Sequence, residues 1–227
     1  MPDTQSDPAR PALLLDGSGT CFFSGVLGHD GRWLAFNNAA EPPLESLFAS
    51  VDHVLEEAGV ELDAVKSFIY CAGPGSILGL RLCAMAIETW MRLHPAPGGL
   101  YAYNSLQLAA ADQLRQSEST EDALLISDWK KGTWNGLKIS SGKLQTVAPV
   151  GSDELAGWRG RLYHLPARKG WQKPPENAIE LSYNPESLPA LLDTPGLIQQ
   201  TEGVTLYQSG LNTFQKWTAE RHRATPC

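Results

Sequence analysis

Long apolar runs are missing from these 227 residues. No segment approaches the roughly 18 consecutive apolar residues that a membrane-spanning helix needs. Met1 to Pro11 is polar and lacks the apolar centre of a secretory signal, so a cytoplasmic location is the expectation. Cysteine is sparse: Cys21, Cys71, Cys83 and Cys227 show no paired spacing. That excludes a zinc ribbon or a disulfide framework and leaves buried, reduced thiols as the expectation. The histidines, at 29, 53, 94, 164 and 222, are scattered without metal-ligand spacing, so each reads as a surface or turn residue. A Walker A loop is absent because no Gly-Lys-Ser/Thr follows any glycine turn. A nucleophile elbow is absent too, since Ser76 is flanked at the required positions by Pro74 and Leu78 rather than by glycines.

Basic charge is scarce in the first half. Residues 1–112 carry 5 basic and 13 acidic side chains, a balance of −8, against 13 and 12 in residues 113–227. The first half repels a phosphate backbone at long range, so any nucleic-acid contact is expected from the second half or from a partner.

The most informative segment present is Cys71-Ala72-Gly73-Pro74-Gly75-Ser76-Ile77-Leu78-Gly79-Leu80-Arg81. An apolar strand-like run from Ser67 enters a tight turn and leaves on an amphipathic helix reaching Leu93. Gly73 and Gly75 permit backbone angles that a Cβ resists, and Pro74 fixes its own φ. Ser76 is placed to cap the helix, and Gly79 lets the first helical turn lie close to another backbone. A glycine turn at a helix N-terminus can cradle phosphate, yet the spacing here misses the dinucleotide fingerprint by one residue. A structural turn that packs helix on sheet is the favoured reading.

Elsewhere, Ala12 to Leu15 reads as a buried strand ending at Asp16-Gly17-Ser18-Gly19-Thr20. Cys21–Leu27 and Arg32–Phe36 continue as strands. Leu44 to Ala58 has helical periodicity with Gly59 as its stop. A short strand at Leu100–Tyr103 and a helix at Leu106–Leu114 complete a first α/β unit with a mixed sheet. From Ala123 the pattern restarts, with a strand to Asp128 and hairpin partners at Trp134–Ile139 and Leu144–Val150. Beyond Asp153 prolines argue for a loop-rich segment, with a terminal helix at Thr213–Arg223. The organisation expected is a disordered leader over 1–11, one lobe over 12–117 and a second over 118–227.

The Asp16-Gly17-Ser18 strand end and the Gly73-Pro74-Gly75-Ser76…Gly79-Leu80-Arg81 turn, in that order, resemble the TsaB (YeaZ-like) family. So do Leu55-Glu56-Glu57-Ala58-Gly59-Val60 and the Asn104-Ser105-Leu106 helix opening. The likeness covers about residues 12–115. Departures at Glu41-Pro42-Pro43 and Ser127-Asp128-Trp129-Lys130-Lys131 mark a divergent member.

The resemblance implies an actin-like (ASKHA) α/β fold of two related lobes. It further implies a non-catalytic scaffold that pairs with a TsaD-type catalytic subunit in making tRNA threonylcarbamoyladenosine. A TsaE-like ATPase is a further partner, the chain is a homodimer when alone, and no cofactor of its own is implied. In active relatives of this fold the first hairpin's acid and glycines contact nucleotide phosphate and metal. Asp16, Gly17, Ser18, Gly19 and Thr20 would be the remnant of that loop, with a hairpin turn whose aspartate is locally satisfied as the favoured reading. The two long helices supply the family's interface, which places Leu47, Val51, Leu80, Cys83, Ile87 and Met91 there.

A basic and aromatic stretch is read from composition alone: Arg159, Arg161, Arg168, Lys169, Trp171 and Lys173, with Trp158, Tyr163 and His164. A solvated loop whose aromatics anchor it to the domain is the favoured reading; otherwise such a stretch suits RNA or an acidic protein surface, and Trp129, Lys130, Lys131 and Trp134 would extend it. The rival from another class is an actin-like ATPase or small-molecule kinase, with Asp16–Thr20 on phosphate and Asp128 as base. A stand-alone homodimeric adaptor is the third reading.

Overall fold

The computed structural model describes residues 7–117, 121–166 and 172–207. The first half runs β1 (Ala12–Asp16), β2 (Phe22–Leu27), β3 (Trp33–Ala39), α1 (Pro43–Ala58), β4 (Ser67–Gly73), α2 (Ile77–Leu93), β5 (Leu100–Asn104) and α3 (Ser105–Gln116). The second continues with β6 (Ala123–Lys130), β7 (Thr133–Ser140), β8 (Lys143–Leu144), β9 (Ala148–Gly151) and α4 (Ser152–Gly157). It ends with β10 (Arg161–His164), β11 (Ile179–Glu180), a 3₁₀ segment (Pro185–Leu191) and β12 (Ile198–Thr201).

Among the described residues two six-stranded sheets form, ordered β12-β5-β4-β1-β2-β3 and β11-β10-β6-β7-β8, the sixth strand of the second being β9, which pairs with β7 off that path. β1 is parallel to β4 and β4 to β5, while β1, β2 and β3 form an antiparallel meander. β1 lies between β2 and β4 and is buried on both faces, which is why Ala12-Leu13-Leu14-Leu15 is an unbroken apolar run.

Local chemistry sets the helix ends. Pro43 occupies the first turn of α1, and Gly59 ends the helix at φ 64°. Ser76 Oγ accepts from the Gly79 N–H at 3.3 Å, the cap anticipated from its position. Asn104 Oδ1 caps α3 by accepting from Leu106 at 3.0 Å and Gln107 at 3.3 Å. Packed on one face of the first sheet, α1 and α2 bury Leu47, Val51, Val54, Cys83 and Ile87 with Phe68 and Tyr70. On the other face lie α3 and the 3₁₀ segment, with Leu108, Leu188 and Leu191. Ala109 and Ala110 of α3 meet Leu125 and Leu137 of the second sheet, so α3 is the layer between the sheets.

Several expectations change. Residues 7–11, expected within a disordered leader, are ordered: Pro8 is buried and Asp7 to Pro11 is pinned. Tyr101 Oη donates to Asp7 O, Ser67 Oγ to Ala9 O and the Lys66 N–H to Pro11 O. Residues 118–227 do not all belong to a second lobe, since β12 pairs antiparallel with β5 and returns the chain to the first sheet. The hairpin partner expected at Leu144–Val150 is split into β8 and β9, both on β7. The segment after Asp153 holds α4 and β10, and β10 is parallel to β6. His164 is therefore buried rather than a surface or turn residue, and Cys21 is exposed while Cys71 and Cys83 are buried. The terminal helix expected at Thr213–Arg223 lies outside the described residues, as does Cys227.

Candidate functional site

Three chain turns meet at the carboxyl ends of the parallel strands β1, β4 and β5, where open α/β sheets form crevices. These are the β1–β2 turn (16–21), the β4–α2 turn (73–76) and the β5–α3 junction at Asn104–Ser105. Ser105 Oγ donates to Pro74 O at 2.6 Å, and the Ser76 N–H donates to Ser18 O at 2.8 Å, so the turns are bonded to one another. The end of β6, Ser127–Asp128, and the Leu165–Pro166 stretch after β10 face them from the second sheet. The cleft between holds about 140 Å³ and is lined by Asp16, Ser18, Thr20, Gly75, Asp128 and Tyr183 among others.

Glycine is required where the turns touch. A Cβ on Gly75 would stand 2.5 Å from Ser18 Cβ and 2.6 Å from Ser18 Cα. The motif thus locks the β1–β2 turn under the start of α2. Arg81, grouped with this turn by its motif, is exposed on α2.

Asp16 is 2% exposed, and its carboxylate is fully engaged by the protein. Oδ1 accepts the Ser18 N–H at 2.7 Å, the local satisfaction anticipated for a hairpin turn. Oδ2 accepts the hydroxyls of Tyr103, at the end of β5, and Tyr183, on the chain leaving β11, each at 2.5 Å. Tyr183 Oη also lies 3.7 Å from Cys71 Sγ. Burial and then the Asp16 charge push both tyrosine hydroxyls and the Cys71 thiol well above their ordinary values, so all three stay protonated. Neither tyrosine was singled out from the sequence. They lie 87 and 167 residues from Asp16, and no local pattern marks them.

These residues do not fit a nucleotide phosphate with its metal. The Ser18 N–H points at Asp16, the Ser76 N–H at Ser18 O, and the oxygen a cation would take already holds two hydroxyls. Among the described residues no cluster of three or more His, Cys, Asp or Glu side chains could hold a metal ion.

The interface expected on α1 and α2 is on the wrong face. Leu47, Val51, Leu80, Cys83 and Ile87 are buried, and Met91 is half-buried against the same core, because their spacing turns them to the chain's own sheet. The exposed apolar residues of these helices are Leu44, Phe48, Ile77, Leu78, Met85 and Leu93, between 58% and 68% exposed. Phe48 sits at the seam between the helices, its ring edge-on to Trp90 at 6.3 Å.

The basic stretch is not one surface. Arg161 pairs in register with Ala123 at the start of β6, whereas Lys130 lies opposite Thr133 at its end, roughly 23 Å away at strand rise. Arg161 donates to Glu121 at 2.6 Å. Tyr163 and His164 are buried in β10, and Trp134 is buried in β7, so none of these rings can stack on a base. Lys173 belongs with the other end of β6, because neighbouring Gln172 bonds Gly132 N and Thr133 O of the β6–β7 tip. Arg159 is exposed. Arg168, Lys169 and Trp171 lie outside the described residues.

No protein-family model matches the sequence, and no curated protein does. Solved structures do share its fold. YeaZ from Pseudomonas aeruginosa superposes with a TM-score of 0.61 at 19% identity, over 87% of this chain and 98% of that one. A protein described as having similarity to peptidase YeaZ from Pseudomonas aeruginosa gives 0.61 at 18%, over 88% and 99%. At such identity the likeness establishes the fold alone: the two-sheet α/β arrangement shared with YeaZ.

Proposed function

We propose that the chain is a divergent, non-catalytic scaffold of the TsaB (YeaZ-like) family, working in the cytoplasm with a TsaD-type catalytic subunit in tRNA threonylcarbamoyladenosine synthesis. The fold supports the family reading, and the apolar stripe on α1 and α2 carries the scaffold reading. Leu44 and Phe48 are four residues apart on α1, and Leu78 and Met85 seven apart on α2, so each pair shares a helix face. Apolar side chains so exposed on adjacent helices suit an interface that is covered in the assembled protein. α1 adds Glu45, Asp52, Glu56 and Glu57 with no lysine or arginine, while α2 contributes Arg81 and Arg92 against one acid, Glu88. A partner presenting a similar helix pair, whether the catalytic subunit or a second copy of this chain, would meet matching charge as well as apolar surface. A TsaE-like ATPase would join the assembled pair, and tRNA would be met through the partner.

Co-expression with the TsaD-type subunit of the same cell tests this, read by light scattering on the purified material. The expected result is a one-to-one complex that Phe48→Glu with Met85→Glu disperses while leaving the melting temperature of the isolated chain unchanged. No complex with the unaltered chain, or a complex indifferent to the double substitution, would overturn it.

A further inference from the structure

We propose that Asp16, at the position the fold resemblance assigns to phosphate and metal, is the bolt of a tyrosine latch that fixes the 181–191 crossover to the first sheet and closes the cleft to nucleotide. The crossover is the chain's passage from the second sheet, at β11, back to the first, and Tyr183 is its entry point. Its hydroxyl shares Asp16 Oδ2 with that of Tyr103, so one buried oxygen ties β1, β5 and the crossover together. Beyond Tyr183 the crossover is anchored by Trp33 Nε1 donating to Glu186 O at 2.9 Å, and by Leu188 and Leu191 in the core.

The latch extends to α2. Asp16 Oδ1 fixes the Ser18 N–H, and Ser18 O receives the Ser76 N–H that opens the helix. A carboxylate with hydroxyl donors on one oxygen and a backbone N–H on the other is strongly satisfied. A magnesium ion would have to evict two tyrosines to reach it. A bare phosphate would meet a buried negative charge.

The latch is internal to the isolated chain and needs no partner. Tyr183→Phe keeps the ring and removes only the hydroxyl, and Tyr103→Phe is the companion variant. Hydrogen exchange by mass spectrometry should show opening of segments 181–191 and 14–20 rising about 10-fold or more in Tyr183→Phe, the scale of losing a bond to a charged acceptor. The β6–β7 hairpin should be unchanged. Magnesium ADP at millimolar concentration should shift the melting temperature of the unaltered chain not at all. Unchanged exchange in the crossover of Tyr183→Phe would overturn the latch. So would a magnesium-ADP shift that disappears in Asp16→Asn, since the carboxylate would then be a ligand site.

Discussion

Gly79 and Gly17 meet so closely that a Cβ on Gly79 would stand 2.1 Å from the Gly17 carbonyl oxygen. The obstacle is backbone, which cannot swing aside as a side chain can, so the first turn of α2 and the β1–β2 turn are interlocked. Gly79→Ala should lower stability by about 3 kcal/mol, the upper range for overpacking. Gly157→Ala, where nothing lies within 4 Å, is the control and should stay within about 0.5 kcal/mol. Urea denaturation followed by circular dichroism reads both.

The two faces of α2 should separate cleanly in stability. Ile87 is fully buried and Met85 is 64% exposed. Ile87→Ala is expected to cost about 2–5 kcal/mol through lost transfer energy and a residual cavity. Met85→Ala should cost less than about 0.5 kcal/mol. Comparable losses at both positions in the isolated chain would mean that the exposed stripe is already covered.

Alkaline pH should weaken the fold. Cys71, Tyr103 and Tyr183 hold their protons in the folded state above their ordinary values of 9.0 for the thiol and 10.0 for the hydroxyls. The unfolded chain loses those protons first. Their contribution is therefore complete below about pH 9 and is lost as pH climbs through 9 and 10 toward the raised values. Denaturant midpoints between pH 8 and 11 should fall, and fall less steeply in Tyr183→Phe, where one of the three groups is gone.

The cap of α3 offers a smaller, local test. Asn104 Oδ1 is the acceptor for two N–H groups at the start of that helix. Asn104→Ala should destabilise by about 1 kcal/mol, while Asn104→Ser should recover most of it. A melting curve that ignores both substitutions would show that the cap contributes nothing once α3 is packed between the sheets.

Short-range chemistry made much of the first half legible. The unbroken apolar run of β1, the Gly59 stop, the Ser76 cap and the 3.6-residue spacing of α1 and α2 each act within a few residues. The second half was harder to read. β10 is a four-residue strand inside a basic, aromatic stretch, and its burial depends on pairing with β6, which lies 38 positions earlier in register. Periodicity marked the apolar faces of α1 and α2 but not which way each faces. Leu47, Phe48 and Val51 share the helical spacing of α1, yet Leu47 and Val51 went to the core with Ile87 of α2, while Phe48 and Met85 went to the surface.

By itself the sequence determined an α/β chain, its glycine turn and the capped helix that follows, because those follow from local sterics and hydrogen bonding. Only the tertiary structure decided what Asp16 does. Its partners, Tyr103 and Tyr183, arrive from the end of β5 and from the crossover. A buried carboxylate takes whichever donors folding brings to it, and no spacing along the chain encodes which those are.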